Sequence, residues 1–209
     1  MVFRLLLWLG AAVSALAAPQ GAATQKTTGP DDTLATEYQQ ARALKDSLLR
    51  ADPNSPLPPP LRAGFAGLFY FPPDPQYRLI GELSAYGRRQ QIRVPTTNNG
   101  PALPMEKFGR LQAQFQGKVF WLEVYRSPET SQLEVFFRDP SNGTQTYGGG
   151  RYVLLAELGE GRYLLDFNMS YNPYCAYNPS YVCPLPPPQN HLEIPILAGE
   201  KAFGPDLAH

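Results

Sequence analysis

The stretch Arg110-Leu-Gln-Ala-Gln-Phe-Gln-Gly-Lys-Val-Phe-Trp-Leu-Glu-Val-Tyr125 decides the fold of this 209-residue chain. In its first half, Leu111, Ala113 and Phe115 alternate with glutamines. A two-residue period places one set of side chains on one face of a β-strand. Gln116-Gly117 reads as a turn, and the apolar side chains of residues 118–125 alternate again. The stretch therefore predicts a β-hairpin.

Further short segments of the same kind occur along the chain. Predicted strands cover residues 67–71, 77–83, 88–94, 132–137, 151–158, 162–168 and 191–197. Gly159-Glu-Gly161 joins two of them in a second hairpin, and Pro195 places the last one at an edge or a bulge. Eight or nine short strands at this spacing predict a mainly-β fold, either an antiparallel barrel or a sandwich.

One amphipathic helix is predicted before the strands. Asp31 or Asp32 can cap its start, and Asp52-Pro53 ends it. Apolar side chains recur between these limits at helical spacing, at Leu34, Tyr38, Ala41, Leu44 and Leu48. We expect this face to pack against the sheet or to cover one end of a barrel.

The N-terminus is typical of a secretory signal peptide. Arg4 gives a positive start, a mostly apolar run follows from Leu5, and Ala15-Leu-Ala17 is a small-x-small cleavage site. The apolar run of about 13 residues falls short of the roughly 20 that cross a bilayer. We therefore predict a signal peptide over residues 1–17, a flexible tail over 18–31 and a single mainly-β domain over 32–209. The mature protein is expected to be exported, periplasmic or extracellular, without a membrane anchor.

The charge balance argues against nucleic acid as a partner. Eighteen basic and eighteen acidic residues give no net charge, and no basic stripe is visible. With 12% aromatic and 43% hydrophobic residues, the chain can nevertheless bury a packed core. No signature in the sequence indicates a cofactor or a metal, and the sequence does not define an oligomeric state.

Three longer motifs resemble the domain of unknown function 1684 family, which comprises uncharacterised bacterial and archaeal proteins. They are Phe69-Tyr-Phe-Pro-Pro-Asp-Pro-Gln-Tyr-Arg78, Phe137-Arg-Asp-Pro-Ser-Asn-Gly-Thr-Gln-Thr-Tyr-Gly-Gly-Gly-Arg-Tyr152 and the stretch that begins Asp166-Phe-Asn-Met-Ser-Tyr171 and continues to Lys201. The resemblance runs from about Glu37 to Phe203 and implies no particular activity. The chain departs from the family pattern across residues 95–107 and at Gln189, where a glutamate would be expected.

The third motif carries the polar candidates. Asp166 and Asn168 share the strand face opposite Tyr163, Leu165 and Phe167, so they lie in solvent or line a cavity if the aromatic set faces the core. Arg138 and Arg151 are candidate partners for the Asp166 carboxylate, in a structural ion pair or in a pair that orients a polar ligand. The candidate ligand-binding residues are Arg138, Asp139, Tyr147, Arg151, Asp166, Asn168, Tyr171, Asn172, Tyr177 and Asn190.

The glycine-rich segment 141–151 allows three interpretations. It could bind phosphate, but known phosphate loops precede a helix, whereas a strand is predicted to follow here. It could instead be a long turn whose glycines take positive φ angles. In the third interpretation the segment closes over a ligand, with Tyr147 as a lid.

Cys175 and Cys183 are the two cysteines of the chain. In an exported protein, a disulfide between them is the preferred interpretation. A reactive thiol is a weaker alternative, because its base would have to be His191, one of only two histidines, which lies in a predicted strand. A metal site of Cys175, Cys183 and His191 is also weaker, because a fourth ligand is missing and the spacing matches no known zinc signature.

Two classes of function remain open. The first is a noncatalytic module that binds a polar small molecule, a sugar or a peptide through its tyrosine and amide groups, although the same residues could form a packed corner without a ligand. The alternative is a hydrolase that uses Asp166 or Asp139 with Arg138 or Arg151 and Tyr147. A carboxylate pair, Asp139 with Asp166 or Asp166 with Glu200, would be needed for glycosidase-type chemistry.

Overall fold

The computed structural model describes residues 30–127 and 131–204. Its two helices and six strands are α1 (Pro30–Ala51), α2 (Pro59–Arg62), β1 (Arg78–Val94), β2 (Leu103–Phe115), β3 (Lys118–Arg126), β4 (Leu133–Phe137), β5 (Arg151–Gly159) and β6 (Arg162–Asp166). The predicted signal peptide and the predicted tail up to residue 29 lie outside the described residues. Within the described ranges, no helix combines the length and the apolar character needed to cross a membrane.

The six strands form a closed antiparallel barrel. Each strand pairs with the next one along the chain, and β1 closes the circle by pairing with β6. The predicted hairpin joins β2 to β3 through Gln116 (φ 49°) and Gly117 (φ 77°). Positive φ at both turn positions is the type I′ geometry whose twist suits a two-residue hairpin loop. The barrel alternative and the antiparallel pairing are thus confirmed.

The barrel interior is filled by the side chains that the alternating pattern placed on one face. Leu111, Leu122, Val135, Val153 and Leu165 are fully buried and belong to one core cluster. The aromatic set of the last strand also points inward, because Leu165 and Phe167 lie in this cluster and Tyr163 packs against it. Asp166 therefore points outward, and it lines a cavity on the outer surface of the barrel.

The prediction of eight or nine strands is not confirmed, since the described residues form six. Segments 77–83 and 88–94 belong to the single long strand β1, whose pairing with β2 shifts register between Ala85 and Gln90. Segment 67–71 makes one isolated bridge, from Tyr70 to Glu200, and segment 191–197 makes one, from His191 to Arg138. A closed barrel offers no free edge along which these two segments could pair as further strands.

A polar side chain explains how segment 188–192 fits beside the barrel. Strands β3 and β4 pair at only two positions. Beyond them, the Asn190 side chain accepts from the Glu123 amide (2.7 Å) and donates to the carbonyls of Glu123 (2.9 Å) and Phe136 (2.8 Å). This fully buried amide replaces the missing strand-to-strand hydrogen bonds. Its position assigns Asn190 a structural role.

Candidate functional site

A cavity lies between helix α1 and the outer face of strands β5 and β6. Its volume is about 650 Å³, within the usual range for small-molecule sites. Outward-facing apolar side chains of the barrel, Leu154, Ala156 and Leu164, form one wall, and the lining is mostly apolar. Six acidic or basic side chains among the described residues also line it, namely Glu37, Arg42, Lys45, Arg78, Asp166 and Glu200.

Asp166 is buried in this cavity with its hydrogen-bonding capacity filled. Its Oδ2 accepts from the Tyr38 hydroxyl (2.7 Å) and from Arg78 Nη1 (3.1 Å). Its Oδ1 accepts from the amide (3.0 Å) and the side chain (3.0 Å) of Asn168, which also holds Asp74 through two hydrogen bonds. The Asp166 carboxylate therefore ties helix α1 to the end of β6. Its cationic partner is Arg78, and the prediction of Arg138 or Arg151 in this role is wrong.

Glu200 is the second buried carboxylate of the cavity. Its Oε1 pairs with the Lys45 ammonium of α1. Its Oε2 accepts from the Tyr177 hydroxyl (2.5 Å) and from the Asn172 amide (2.8 Å). Burial raises the pKa of Tyr177, and the neighbouring Glu200 charge adds to this effect, so the hydroxyl remains a donor. Asn172 and Tyr177, both predicted ligand candidates, thus position Glu200.

Arg42 differs from the other cations of the cavity. Its guanidinium lies over the Tyr70 ring, 4.6 Å from the centroid. Its Nε and Nη2 are buried and have no hydrogen-bond partner among the described residues. Burial lowers the pKa of Arg42, and nearby acidic groups partly oppose that effect. A guanidinium still remains charged at neutral pH, so the cavity contains a cation with two unused donors.

The side of α1 that faces the barrel matches the predicted one only in part. Leu44 and Leu48 are 62% and 52% exposed, although the apolar pattern placed them inward. Tyr38, which the pattern also placed inward, is buried, and so is Leu49. Arg42 and Lys45 lie between these two residues on the cavity side. The reason is the pair of buried carboxylates opposite, which attract cationic side chains to this face. The stripe Tyr38, Arg42, Lys45, Leu49 has helical spacing, and this was the signal in the sequence.

Arg151 and Asp139 form a buried ion pair away from this cavity. Arg151 Nη2 lies 3.0 Å from Asp139 Oδ2, and both side chains are fully buried. The same guanidinium donates to the carbonyls of Ile196 (2.6 Å), Ala198 (2.5 Å) and Glu200 (3.2 Å). These contacts fasten the C-terminal segment to β5, and they leave Arg151 no access to a ligand.

The other predicted site residues are also apart from the cavity. Arg138 is exposed and donates to the Gly148 carbonyl (2.8 Å). Segment 141–151 is a turn in which the Ser141 carbonyl accepts from the amides of residues 144, 145 and 146. The Tyr147 hydroxyl lies 3.6 Å from Cys175 Sγ. Of the ten candidates, the structure brings Asp166, Asn168 and Tyr171 together in the cavity lining.

The two cysteines are neighbours, but the predicted disulfide is not formed in this structure. Both thiols are free and buried, and the Cys175 amide donates to Cys183 Sγ (3.2 Å). A hydrogen bond from the Cys183 thiol lowers the pKa of Cys175 to about 6, and it raises the pKa of Cys183. Their proximity is compatible with later oxidation, so the disulfide stays a prediction.

These features define an antiparallel barrel protein with a helix-covered, partly charged cavity on its outer surface. The chain belongs to the family described as protein of unknown function (DUF1684), whose model matches residues 63–201. This confirms the resemblance noted in the motifs.

Among solved structures, the chain is similar to the solution NMR structure of the uncharacterized protein from gene locus rrnAC0354 of Haloarcula marismortui. The two are 34% identical, with a TM-score of 0.66, and the match covers 86% of this chain and 98% of the other. A comparison with curated proteins finds no match.

Proposed function

We propose that this protein binds a small hydrophobic carboxylate, without catalysis, in the cavity between α1 and the barrel. The observation that carries the proposal is the Arg42 guanidinium, whose Nε and Nη2 are buried without an acceptor. A buried donor without a partner costs about 1–3 kcal/mol, and more when it is charged. Such a group in a native structure calls for an explanation, and we infer that a bound ligand supplies the acceptor.

The two unused nitrogens fit one class of ligand. Nε and Nη2 lie on the same edge of the guanidinium and donate in parallel, which matches the two oxygens of a carboxylate. The two buried carboxylates of the cavity are poor competitors. Asp166 is held by Tyr38, Arg78 and Asn168, and Glu200 by Lys45, Tyr177 and Asn172. An incoming anion would be the natural partner of Arg42.

The rest of the cavity favours an apolar ligand body. Leu154, Ala156 and Leu164 present side chains on the barrel wall, and Ala41 and Met169 complete the apolar lining. Burial of apolar ligand surface stabilises a complex by about 25 cal/mol per Å² before the losses of freedom on binding are subtracted. This lining supports an alkyl or aryl carboxylate more than a sugar, whose hydroxyls would need many polar partners.

The test measures the binding of matched ligand pairs to the intact protein. We expect decanoate and naphthoate to raise the melting temperature, and their methyl esters to have no effect, because the esters lack the anionic oxygens. Arg42→Gln should weaken carboxylate binding at least about tenfold, the loss expected for a charged hydrogen bond. Arg88→Gln, at an exposed arginine of β1, is the matched control. Equal binding by wild type and Arg42→Gln, or no shift with any carboxylate at millimolar concentration, would refute the proposal.

The hydrolase alternative has no such support. It requires Asp166, Arg151 and Tyr147 in one concave site, and these side chains have separate surroundings. We further propose that the protein acts outside the cytoplasm, as its N-terminal sequence predicts. N-terminal sequencing of the mature protein should then begin near Ala18.

A further inference from the structure

A second cavity of about 350 Å³ lies on the outer face of β2, β4 and β5. The segment around residues 171–184 covers it, and Tyr171 and Tyr174 line both this cavity and the first one. Its lining side chains differ from those of the first cavity. Glu134 is its one ionisable side chain apart from tyrosine and cysteine, among the described lining residues.

Glu134 is a largely buried carboxylate without a cation. The Tyr171 hydroxyl donates to its Oε1, and it forms no ion pair with any residue in the described ranges. Burial raises the pKa of Glu134 to about 7, and the hydrogen bond from Tyr171 opposes that rise. No charged neighbour contributes to this shift. A carboxylate in this position gains most from a positively charged partner.

Aromatic rings surround this carboxylate. Phe136 and Tyr152 lie 4.5 Å apart between centroids on the barrel wall, and Tyr174 and Tyr181 meet edge to face at 5.5 Å on the covering segment. Tyr171 also lines the cavity and packs edge to face against Tyr152, 5.9 Å between centroids. Ring faces attract alkylated ammonium ions, which are weakly hydrated and can be desolvated at small cost.

We propose that this second cavity binds a small organic ammonium ion, with Glu134 as counter-ion and the rings of Tyr171, Tyr174 and Tyr181 as an aromatic cage. Tyr171 already takes part in a contact of this kind, since the Lys45 ammonium lies 5.0 Å from its ring centroid. An inorganic cation fits the cavity less well. Calcium requires six to eight oxygen ligands, whereas this lining offers one carboxylate among mostly aromatic and aliphatic groups.

The experiment uses choline and its uncharged isostere 3,3-dimethylbutan-1-ol, titrated into the protein by calorimetry. The two probes have the same shape, so the difference between them measures the contribution of the positive charge. We expect wild-type protein to bind choline and to bind the isostere at least tenfold more weakly. Equal affinity for both probes, or no binding of choline at millimolar concentration, overturns the proposal.

Variants distinguish a ligand-binding role of these side chains from a purely structural one. Glu134→Gln keeps the hydrogen bond to Tyr171 and should lose choline binding at least tenfold, whereas Glu157→Gln, at an exposed position of neighbouring β5, should not. Tyr181→Leu keeps the carboxylate and removes one ring, and a two- to fivefold loss is expected. Unchanged affinity in both Glu134→Gln and Tyr181→Leu refutes the assignment.

Discussion

Replacement of Arg151 by methionine should destabilise the fold strongly. The substitution leaves the Asp139 carboxylate buried without its cation, and it removes the donors from the carbonyls of Ile196, Ala198 and Glu200. Loss of one partner of a buried ion pair costs about 3–5 kcal/mol. For a domain of this size, each kcal/mol lowers the melting temperature by about 2–4 °C. We therefore expect a fall of roughly 6–20 °C.

The assay is urea unfolding and thermal melting followed by circular dichroism. The denaturant midpoint should fall while the slope of the transition stays the same, because the surface exposed on unfolding hardly changes. Arg162→Met is the matched control, since Arg162 and Glu160 form an exposed pair at 3.5 Å, and its effect should stay within about 0.5 kcal/mol. If Arg151→Met lowers the free energy of unfolding by less than about 1 kcal/mol, the ion pair does not have the structural role assigned to it. Arg151 would then again be a candidate ligand-binding residue.

Two further predictions concern groups that titrate or oxidise. Because burial raises the pKa of Glu134 to about 7, the folded state retains this proton where the unfolded chain has lost it, so stability should fall by about 3 kcal/mol as pH rises from about 4.5 to 7. Glu134→Gln should flatten that part of a stability profile measured by urea unfolding, and an unchanged slope would contradict the burial argument. Protein purified from an oxidising compartment should contain the Cys175–Cys183 disulfide. Mass spectrometry would then show no alkylation before reduction and two alkylated thiols after it, and alkylation of both thiols without reduction would refute the disulfide.

The local parts of the fold could be predicted from the sequence because they depend on neighbouring residues. Alternation along Leu111, Ala113 and Phe115 identified the inward face of β2, and the positive φ angles of Gln116 and Gly117 agree with the predicted turn. The number of strands was overestimated. An alternating pattern indicates a strand-like segment, but it does not show whether a neighbouring strand is available to pair with it. Segments 67–71 and 191–197 have strand-like composition, but the barrel closes without them.

The candidate site depended on contacts between distant parts of the chain. Tyr38 reaches Asp166 across 128 positions, and Lys45 reaches Glu200 across 155. The strand face of Asp166 left two possibilities, solvent or a cavity lining, and the structure places it in a cavity lining with Arg78 rather than Arg138 or Arg151 as its cationic partner. Arg42 was overlooked because apolar periodicity alone chose the inward face of α1. Where the inward face of a helix differs from the one that apolar periodicity predicts, the difference often lies at a functional site, because polar groups are retained there at a cost in stability.

Tyr171 gives the two cavities a common wall. Its ring lies beneath the Lys45 ammonium in the first cavity, and its hydroxyl holds Glu134 in the second. A ligand that moves or fixes this ring in one cavity therefore changes the free energy of binding in the other. Thermodynamic linkage requires the effect to be reciprocal, so a carboxylate that strengthens ammonium binding by some factor must itself bind more tightly by the same factor when the ammonium is present. This shared side chain would thus make the barrel respond to the joint presence of two ligands.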